Sequence, residues 1–271
     1  MEGRTIVTGA TGSMGAAACE ALAAQGVPVI MACRNPGKAA EVRSGILSRH
    51  PAADVEIRTL DLASLASVRS FAEGIGPGCV SAVFHNAGVI SKGYVLTGDG
   101  LENSFSVNYF GPWLLTRLLL PKLPPDARIV SMISLTCRFV SLNEQALQPK
   151  EKEFSQLGTY ARSKRALLSF SLELSRRYPG LRVQLADPGV VASKMIDLGH
   201  WYDPLADVLF KPLCKQPSAG VQPALRAMAA AQAEPRYFVG KKDRSIPARY
   251  LDPSLDARIW EATEALINSR R

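Results

Sequence analysis

The sequence predicts an α/β fold, in which a doubly wound parallel sheet forms a single domain over residues 1–271. Short apolar runs rich in valine and isoleucine alternate with amphipathic stretches of helical length from the first residues onward. Strands that are apolar along their whole length are typical of a parallel sheet covered on both faces. Regular alternation of strand and helix indicates this architecture, and 271 residues are enough for one sizeable domain.

The predicted elements follow one another without an internal repeat. The apolar runs predict parallel strands at residues 4–9, 27–33, 54–60, 80–85, 128–134 and 181–187. The stretches between them predict helices at residues 14–25, 36–48, 64–74, 99–121 and 157–177. Asn35 followed by Pro36 is a strong helix start, because asparagine caps the free N–H groups and proline fits the first helical position. Further along, residues 237–240 predict an edge strand and residues 254–268 a final helix.

Composition and charge exclude several classes of protein. The net charge is +8, from 32 basic and 24 acidic residues, but no basic run exceeds two residues, which favours an ordinary basic surface over a nucleic-acid site. The 5 cysteines form no CxxC pair and the 3 histidines have no metal-ligand spacing, so neither a disulfide framework nor a metal site is supported. The first strand leaves no room for a signal peptide, and no apolar run reaches the ~18 residues that span a bilayer. A cytoplasmic protein is therefore expected.

The first predicted strand leads into a glycine-rich turn, Thr8-Gly9-Ala10-Thr11-Gly12-Ser13-Met14-Gly15. Glycines at a strand-to-helix turn let the backbone approach a pyrophosphate, and the helix that follows offers free N–H groups and the positive end of its dipole. The alternative, that the glycines are ordinary turn residues, does not explain three of them in seven positions. The sequence therefore predicts a Rossmann-type dinucleotide site, with cofactor-binding residues Gly9, Thr11, Gly12, Ser13, Met14 and Gly15.

The end of the second predicted strand distinguishes between the two nicotinamide cofactors. NAD-binding domains place an acidic residue about 20 residues after the glycines, where it binds the adenosine ribose. Here the strand ends in Arg34 and Asn35, and Lys38 follows one helical turn later. A guanidinium can bind a 2′-phosphate through paired hydrogen bonds, whereas the alternative is a solvent-facing arginine with no ligand. The sequence thus favours NADP(H) over NAD(H).

Tyr160 and Lys164 form a candidate proton-transfer site, four residues apart on one face of a predicted helix. Hydride exchange between a carbinol carbon and nicotinamide needs a proton donor or acceptor at the oxygen. The pKa of a free tyrosine is near ~10, and a neighbouring lysine cation is expected to lower it. Such a pair alone is often only a surface contact. Ser134, at the end of the fifth strand, can bind the substrate oxygen, and the sequence therefore predicts Ser134, Tyr160 and Lys164 as catalytic.

Together these motifs resemble the short-chain dehydrogenase/reductase family over nearly the whole chain, and most of all its retinol-dehydrogenase-like branch. The branch is indicated by the strand ending Met31–Asn35 and by the spacing from Ser134 to Tyr160. The resemblance implies further site residues: Asp61 and Leu62 at the adenine, Asn86, Ala87 and Gly88 after the fourth strand, Asn108 in a catalytic hydrogen-bond relay, and Pro188, Gly189, Val191 and Ser193 at the nicotinamide. The chain departs from the family pattern at His85, which replaces an asparagine, and at Ser13, which replaces a glycine.

The resulting hypothesis is an NADP-dependent oxidoreductase that acts on a lipophilic carbonyl or alcohol. Residues 194–217 interrupt the alternation with three prolines and many large apolar side chains, which predicts a lid over the carboxyl ends of the strands. The alternative is that these side chains only pack against the domain or a neighbouring subunit. The resemblance also implies a homodimer through the helices at 99–121 and 157–177. The rival function is a catalytically idle NADP-binding sensor, and a scaffold protein is the third alternative.

Overall fold

The computed structural model describes residues 3–189, 191 and 215–270, and the strands in these ranges form one eight-stranded sheet. They are β1 (Arg4–Thr8), β2 (Val29–Cys33), β3 (Val55–Thr59), β4 (Val80–His85), β5 (Arg128–Met132), β6 (Arg182–Asp187), β7 (Arg236–Val239) and β8 (Lys242–Ser245). Their order across the sheet is β3-β2-β1-β4-β5-β6-β7-β8. Strands β1 to β7 are parallel, and β8 is antiparallel to β7. This is the doubly wound α/β architecture that the sequence predicts.

Helices connect these strands on both sides of the sheet. The helices of the described residues are α1 (Ser13–Ala24), α2 (Pro36–Arg49), α3 (Leu65–Glu73), α4 (Asn103–Phe105), α5 (Gly111–Leu119), α6 (Gln156–Arg177), α7 (Pro217–Gly220), α8 (Gln222–Ala229) and α9 (Pro253–Asn268). A π-helical stretch, Ser106–Phe110, joins α4 to α5. The predicted start of α2 is confirmed, because the Asn35 side chain accepts a hydrogen bond from the Lys38 N–H at 3.0 Å and Pro36 opens the helix.

The core has one apolar layer on each face of the sheet. Helices α3, α5, α6 and α9 cover one face, where buried side chains such as Val83 and Ile129 meet Phe170 and Leu115. Helices α1, α2 and α8 cover the other face. Strands β2 and β4 are buried along their whole length, as expected for strands enclosed by two helical layers.

The last helix packs across α5 and α6. Trp260 of α9 is 1% exposed, stacks on Phe170 of α6 with ring centroids 5.5 Å apart and meets Trp113 of α5 at 5.9 Å. Asp256 of α9 is fully buried, and it accepts hydrogen bonds from Ser169 and from Arg176. Most apolar side chains of α5 and α6, the helices of the expected dimer interface, are therefore buried within the subunit, while Leu118 is only partly buried.

Three features differ from the sequence-based expectations or fall outside the described ranges. Residues 237–240 do not form the sheet edge, because the turn at Gly240 leads into β8, whose residues are all exposed and pair with β7. The helix predicted at 99–121 begins at Asn103 and changes to π-helical geometry at Ser106. Most of the predicted lid, residues 194–214, and Ser193 lie outside the described residues.

In the ranges given above, no helix is both long and apolar enough to cross a membrane. The described cysteines, Cys19, Cys33, Cys79 and Cys137, are all free thiols. No cluster of three or more potential metal ligands occurs among the described side chains.

Candidate active site

The predicted site residues gather at the carboxyl ends of the central strands. The strand order reverses between β1 and β4, and in doubly wound sheets the crevice at such a reversal is where ligands bind. The glycine turn follows β1, Asn86 follows β4, and Ser134 lies two residues after β5. Residues far apart in the chain therefore meet at one edge of the sheet.

The glycine turn is packed too closely to carry side chains at two of its three glycines. Gly9 has a φ of 65°, and a Cβ atom there would lie 2.9 Å from Cα of Ala87. A Cβ atom on Gly15 would overlap the carbonyl oxygen of Gly9. Gly12 is the N-cap of α1 and has no side chain to bond the first N–H groups of that helix. Gly12 and Ser13 are exposed, so this helix end faces the crevice with room for a phosphate.

Hydrogen bonds join the ends of β1 and β4 beneath this turn. The Thr8 hydroxyl accepts from the backbone N–H groups of Asn86 and Ala87, each at 3.1 Å. The Asn86 side chain donates to the Thr8 carbonyl oxygen at 2.9 Å. These bonds fix Asn86, Ala87 and Gly88 relative to the glycine turn, as the family pattern implies.

His85 does not face the crevice as a reactive group. Its Nε2 lies 2.7 Å from the Thr116 hydroxyl of α5, and the ring is buried under that helix. Burial first, and the Lys164 cation second, lower the pKa of His85 to about 3, so the ring is neutral at physiological pH. His85 therefore packs between β4 and α5.

The adenosine end of the crevice contains the residues predicted to select the cofactor. Arg34 is exposed, and within the described part of the chain it has no hydrogen-bond or ion-pair partner. The oxygen of the Asn35 side chain caps α2, and its amide nitrogen is left to donate. Asp61 accepts a hydrogen bond from the Ala63 N–H at 3.0 Å, and Leu62 is buried.

Ser134 and Tyr160 form the centre of the candidate catalytic group. Tyr160 is 8% exposed, and its hydroxyl group is hydrogen-bonded to the Ser134 side chain. The Ser134 oxygen accepts from the backbone N–H of Thr136 at 3.2 Å and from its hydroxyl at 2.9 Å. Because these two contacts use the lone pairs of Ser134, its own proton is left to donate. Thr136 is thus a site residue that the sequence did not indicate.

The electrostatics of Tyr160 differ from the sequence-based expectation. Burial raises the pKa of Tyr160 to about 12, and the hydrogen bond with Ser134 only partly opposes this, while Cys137 and Asp187 add to the increase. The expectation that Lys164 lowers this pKa is wrong for the described chain, since Lys164 is not among the groups that shift it. The phenol is therefore protonated across the neutral range.

Lys164 lies one helical turn beyond Tyr160 and is 2% exposed. Its ammonium group donates to the carbonyl oxygens of Met132 at 3.0 Å and Ala87 at 3.3 Å, so it bridges the ends of β5 and β4. Burial lowers the pKa of Lys164 to about 8. A Cβ atom on Gly88 would lie 3.2 Å from the ammonium nitrogen, which explains the glycine at this position.

Asn108 connects the π-helical stretch to the catalytic helix. Its side-chain nitrogen donates to Ser163 at 2.9 Å and to the Val89 carbonyl at 3.0 Å, while its oxygen accepts from the Val89 N–H at 2.8 Å. Ser163 in turn donates to the Tyr160 carbonyl at 2.7 Å. Asn108 therefore positions α6, with Ser163 as a link that the sequence did not reveal. Single-turn π-helical stretches are frequent at functional sites.

The residues predicted to contact the nicotinamide follow the end of β6. Gly189 has a φ of 71°, a left-handed backbone conformation that favours glycine. The Lys215 ammonium donates to the Pro188 carbonyl at 3.2 Å, and Val191 is 8% exposed and pairs with Lys215 through a single parallel bridge. The carboxylate of Asp187, which the sequence did not single out, accepts from the Gly189 N–H at 2.8 Å and from the Tyr237 hydroxyl at 2.6 Å.

Comparison with known proteins finds relatives that extend over nearly the whole chain. The profile of the short chain dehydrogenase family matches residues 4–199. Human retinol dehydrogenase 14 is 31% identical over 98% of this chain and 87% of its own length. Human retinol dehydrogenase 13 is 32% identical over 97% of this chain and 83% of its own length, and the zebrafish WW domain-containing oxidoreductase is 33% identical over 98% and 68%.

Solved structures share the fold. A protein from Mycobacterium paratuberculosis is 28% identical, with a TM-score of 0.80 over 98% of this chain and 94% of that one. A short-chain dehydrogenase from Sphingobium yanoikuyae, solved in complex with NADPH, has a TM-score of 0.65 at 18% identity over the same shares, which is a likeness of fold only.

Proposed function

The chain belongs to the short-chain dehydrogenase/reductase family, in its retinol-dehydrogenase-like branch, and from this premise we propose that it is an NADP-dependent oxidoreductase acting on a lipophilic carbonyl or alcohol. The observation that carries the proposal is the hydrogen bond between Ser134 and a buried, protonated Tyr160, with the Lys164 cation one helical turn away. A proton donor, a hydroxyl that can bind the substrate oxygen and a fixed cation are what carbonyl reduction requires.

The residues present fit a bound dinucleotide. Gly9 and Gly15 keep the turn after β1 free of side chains, and the uncapped end of α1 can receive the pyrophosphate. When bound, NADPH supplies a hydride to the carbonyl carbon. Tyr160 gives its proton to the carbonyl oxygen, so that the alcohol is formed, and Ser134 orients that oxygen. Lys164 adds positive charge where the oxygen becomes negative, and Asn108 with Ser163 keeps α6 in place.

Arg34 supports NADP as the cofactor. It is exposed next to the glycine turn and unpaired in the described ranges, as a ligand for a 2′-phosphate must be before binding. In the same direction, a short-chain dehydrogenase of the same fold was solved with NADPH. Cytoplasmic location stays a prediction from the sequence.

A lipophilic substrate is supported by the apolar surface around the candidate catalytic group. Leu135 and Phe139 follow Ser134 and are 38% and 70% exposed, and Leu157 lies one turn before Tyr160 and is 49% exposed. Apolar side chains are costly to expose, and a cluster of them beside reactive groups is typical of a binding site. Relatives bear the name retinol dehydrogenase, which agrees with a long apolar substrate.

The test is NADPH oxidation with a homologous series of straight-chain aldehydes. We expect kcat/KM to rise with chain length, because each buried methylene contributes up to ~0.8 kcal/mol, or about fourfold. Tyr160→Phe keeps the ring and removes only the proton donor, so turnover should fall by at least about 100-fold.

Tyr109→Phe is the matched control, since Tyr109 is a buried tyrosine on the π-helical stretch whose hydroxyl bonds Thr263 on α9. That variant should keep wild-type turnover per folded molecule. A kcat/KM that is flat or falling with chain length would contradict the lipophilic substrate. No NADPH oxidation with any aldehyde, despite NADPH binding, would favour the idle sensor.

A further inference from the structure

Asp187 is a buried acidic side chain, and the packing of the core does not require an acidic residue at its position. It is the last residue of β6, is 1% exposed, and immediately precedes the Pro188–Gly189 turn. Both of its carboxylate oxygens accept hydrogen bonds, one from the Gly189 N–H and one from the Tyr237 hydroxyl. These two bonds hold the carboxylate between the Pro188–Gly189 turn and β7.

The negative charge at Asp187 is not neutralised by a salt bridge to any described residue. Burying a carboxylate without a cation is unfavourable, so such groups mark places where the charge has a use. Its field reaches the reactive hydroxyl, since Asp187 is one of the groups that raise the pKa of Tyr160. The opposite charge in the same site is the buried Lys164 ammonium at the ends of β4 and β5.

We propose that Asp187 is a positioning and specificity residue: with Tyr237 it fixes the Pro188–Gly189 turn, and its charge favours the oxidised, positively charged nicotinamide over the reduced, neutral ring. This inference rests on the proposed function and on the nicotinamide contacts that the family resemblance implies for this turn. Carbonyl reduction turns a neutral ring into a cation, and a fixed anion beside it stabilises that product. Asp187 therefore favours reduction of the substrate over oxidation.

The size of the effect follows from Coulomb's law. As a general scale, two unit charges about 8 Å apart at an effective dielectric constant of about 20 change a dissociation constant by roughly 30-fold. Screening by solvent in the open crevice reduces this effect, and we expect a change of about tenfold. The quantity that reports it is the ratio of the dissociation constants for NADP⁺ and NADPH, measured by titration without substrate.

Asp187→Asn is the informative variant. The amide oxygen can accept from the Gly189 N–H and the amide nitrogen can donate to the Tyr237 oxygen, so the turn keeps its hydrogen bonds and loses only the charge. We expect NADP⁺ to bind about tenfold more weakly relative to NADPH than in the wild type. An unchanged ratio in a folded Asp187→Asn variant that still binds both forms would overturn the proposal and leave the oxidoreductase function intact.

Tyr237→Phe is the matched control, because it removes one hydrogen bond and keeps the charge. The ratio of its dissociation constants for NADP⁺ and NADPH should stay within about threefold of the wild-type ratio. A change as large as that of Asp187→Asn would show that the geometry of the turn, and not the charge, determines the ratio. If Asp187→Asn does not fold, the dissociation constants of the wild type for the two cofactor forms are compared instead. NADPH bound more than about tenfold tighter than NADP⁺ would overturn the proposal, and a smaller preference supports it. Absence of binding by either form would contradict the proposed function itself.

Discussion

Tyr160 holds its proton because its surroundings disfavour the phenolate. Burial raises its pKa to about 12, and the Lys164 ammonium that was expected to oppose this is bonded to the carbonyl oxygens of Met132 and Ala87. A donor that is fully protonated at neutral pH suits the reduction of a carbonyl group. Oxidation of the alcohol needs the phenolate of Tyr160 as its base. The phenol would first have to lose its proton, which is unfavourable before the cofactor binds.

Arg34 can be tested as a single side chain. Charge-assisted hydrogen bonds to a 2′-phosphate typically change affinity by about 10- to 150-fold. We therefore expect Arg34→Ala to weaken NADP(H) binding by this factor and to leave NAD(H) binding almost unchanged, as measured by fluorescence titration. Arg258→Ala removes the same charge from α9, where Arg258 pairs with Glu144, and should affect neither cofactor. Equal losses for both cofactors in Arg34→Ala would contradict the assignment to the 2′-phosphate.

Single residues also show where inference from the sequence ends. Ser134, Tyr160 and Lys164 lie at one edge of the sheet. They could be predicted because each belongs to a motif of fixed spacing. Thr136 and Asp187 have no such signal: they act through hydrogen bonds that exist only once the chain is folded. Similarly, the hydrogen bond that the Asn35 side chain accepts from the Lys38 N–H was predictable from its neighbours, but the location of His85 beneath α5 was not.

Among the elements, the turn between β1 and α1 gives the sharpest contrast between two glycines. A Cβ atom on Gly15 would overlap the Gly9 carbonyl oxygen, whereas a Cβ atom on Gly12 would have only that same oxygen near it, at 3.3 Å. We expect Gly15→Ala to displace the turn and to weaken cofactor binding by about 10-fold or more, since overpacking typically costs about 1–3 kcal/mol.

The control is Gly45→Ala on α2, where a Cβ atom would have only the end of the Arg49 side chain near it, at 3.8 Å, and which should keep cofactor affinity within about threefold of the wild type. Both measurements are titrations with NADPH, accompanied by thermal unfolding to confirm that each variant is folded. Equal effects of the two substitutions would mean that the close packing at Gly15 does not matter for binding.

Secondary structure followed the sequence where an apolar pattern defined it. The strands from β1 to β6 lie within the predicted runs, since most of their residues are apolar and enclosed by helices, although β3 is fully buried only at Val55. Strand β8 escaped prediction because its sequence, Lys242–Ser245, is polar and fully exposed, so no hydrophobic period marks it. The change of helical geometry at Ser106–Phe110 was also unpredictable, because it accommodates the hydrogen bonds of Asn108 to Val89 and Ser163.

At the scale of the whole molecule, the C-terminal helix determines which surfaces are free. The homodimer prediction relied on an excess of apolar side chains on α5 and α6, but Trp113, Leu115 and Phe170 are buried against the sheet or α9. A four-helix dimer through this face would have to displace α9 and expose Trp260. We therefore expect one chain of 29.2 kDa by light scattering at micromolar concentration.

The comparison variant is Leu118→Glu, which places a charge on α5 at a partly buried position. The molar mass should be the same as that of the wild type. A wild-type mass of two chains that falls to one in Leu118→Glu would show that the subunits do associate through α5, contrary to this expectation.

The cover provided by α9 also has a consequence for how the protein is made. A ribosome synthesises α5 and α6 well before α9, since Trp260 follows Phe170 by 90 positions. At about 5–20 residues per second this interval is roughly 5–18 s, during which the ring of Phe170 has no Trp260 to stack on. Folding of this layer is thus completed after translation has passed residue 260, and a nascent chain stalled before that point would present apolar side chains to which chaperones bind.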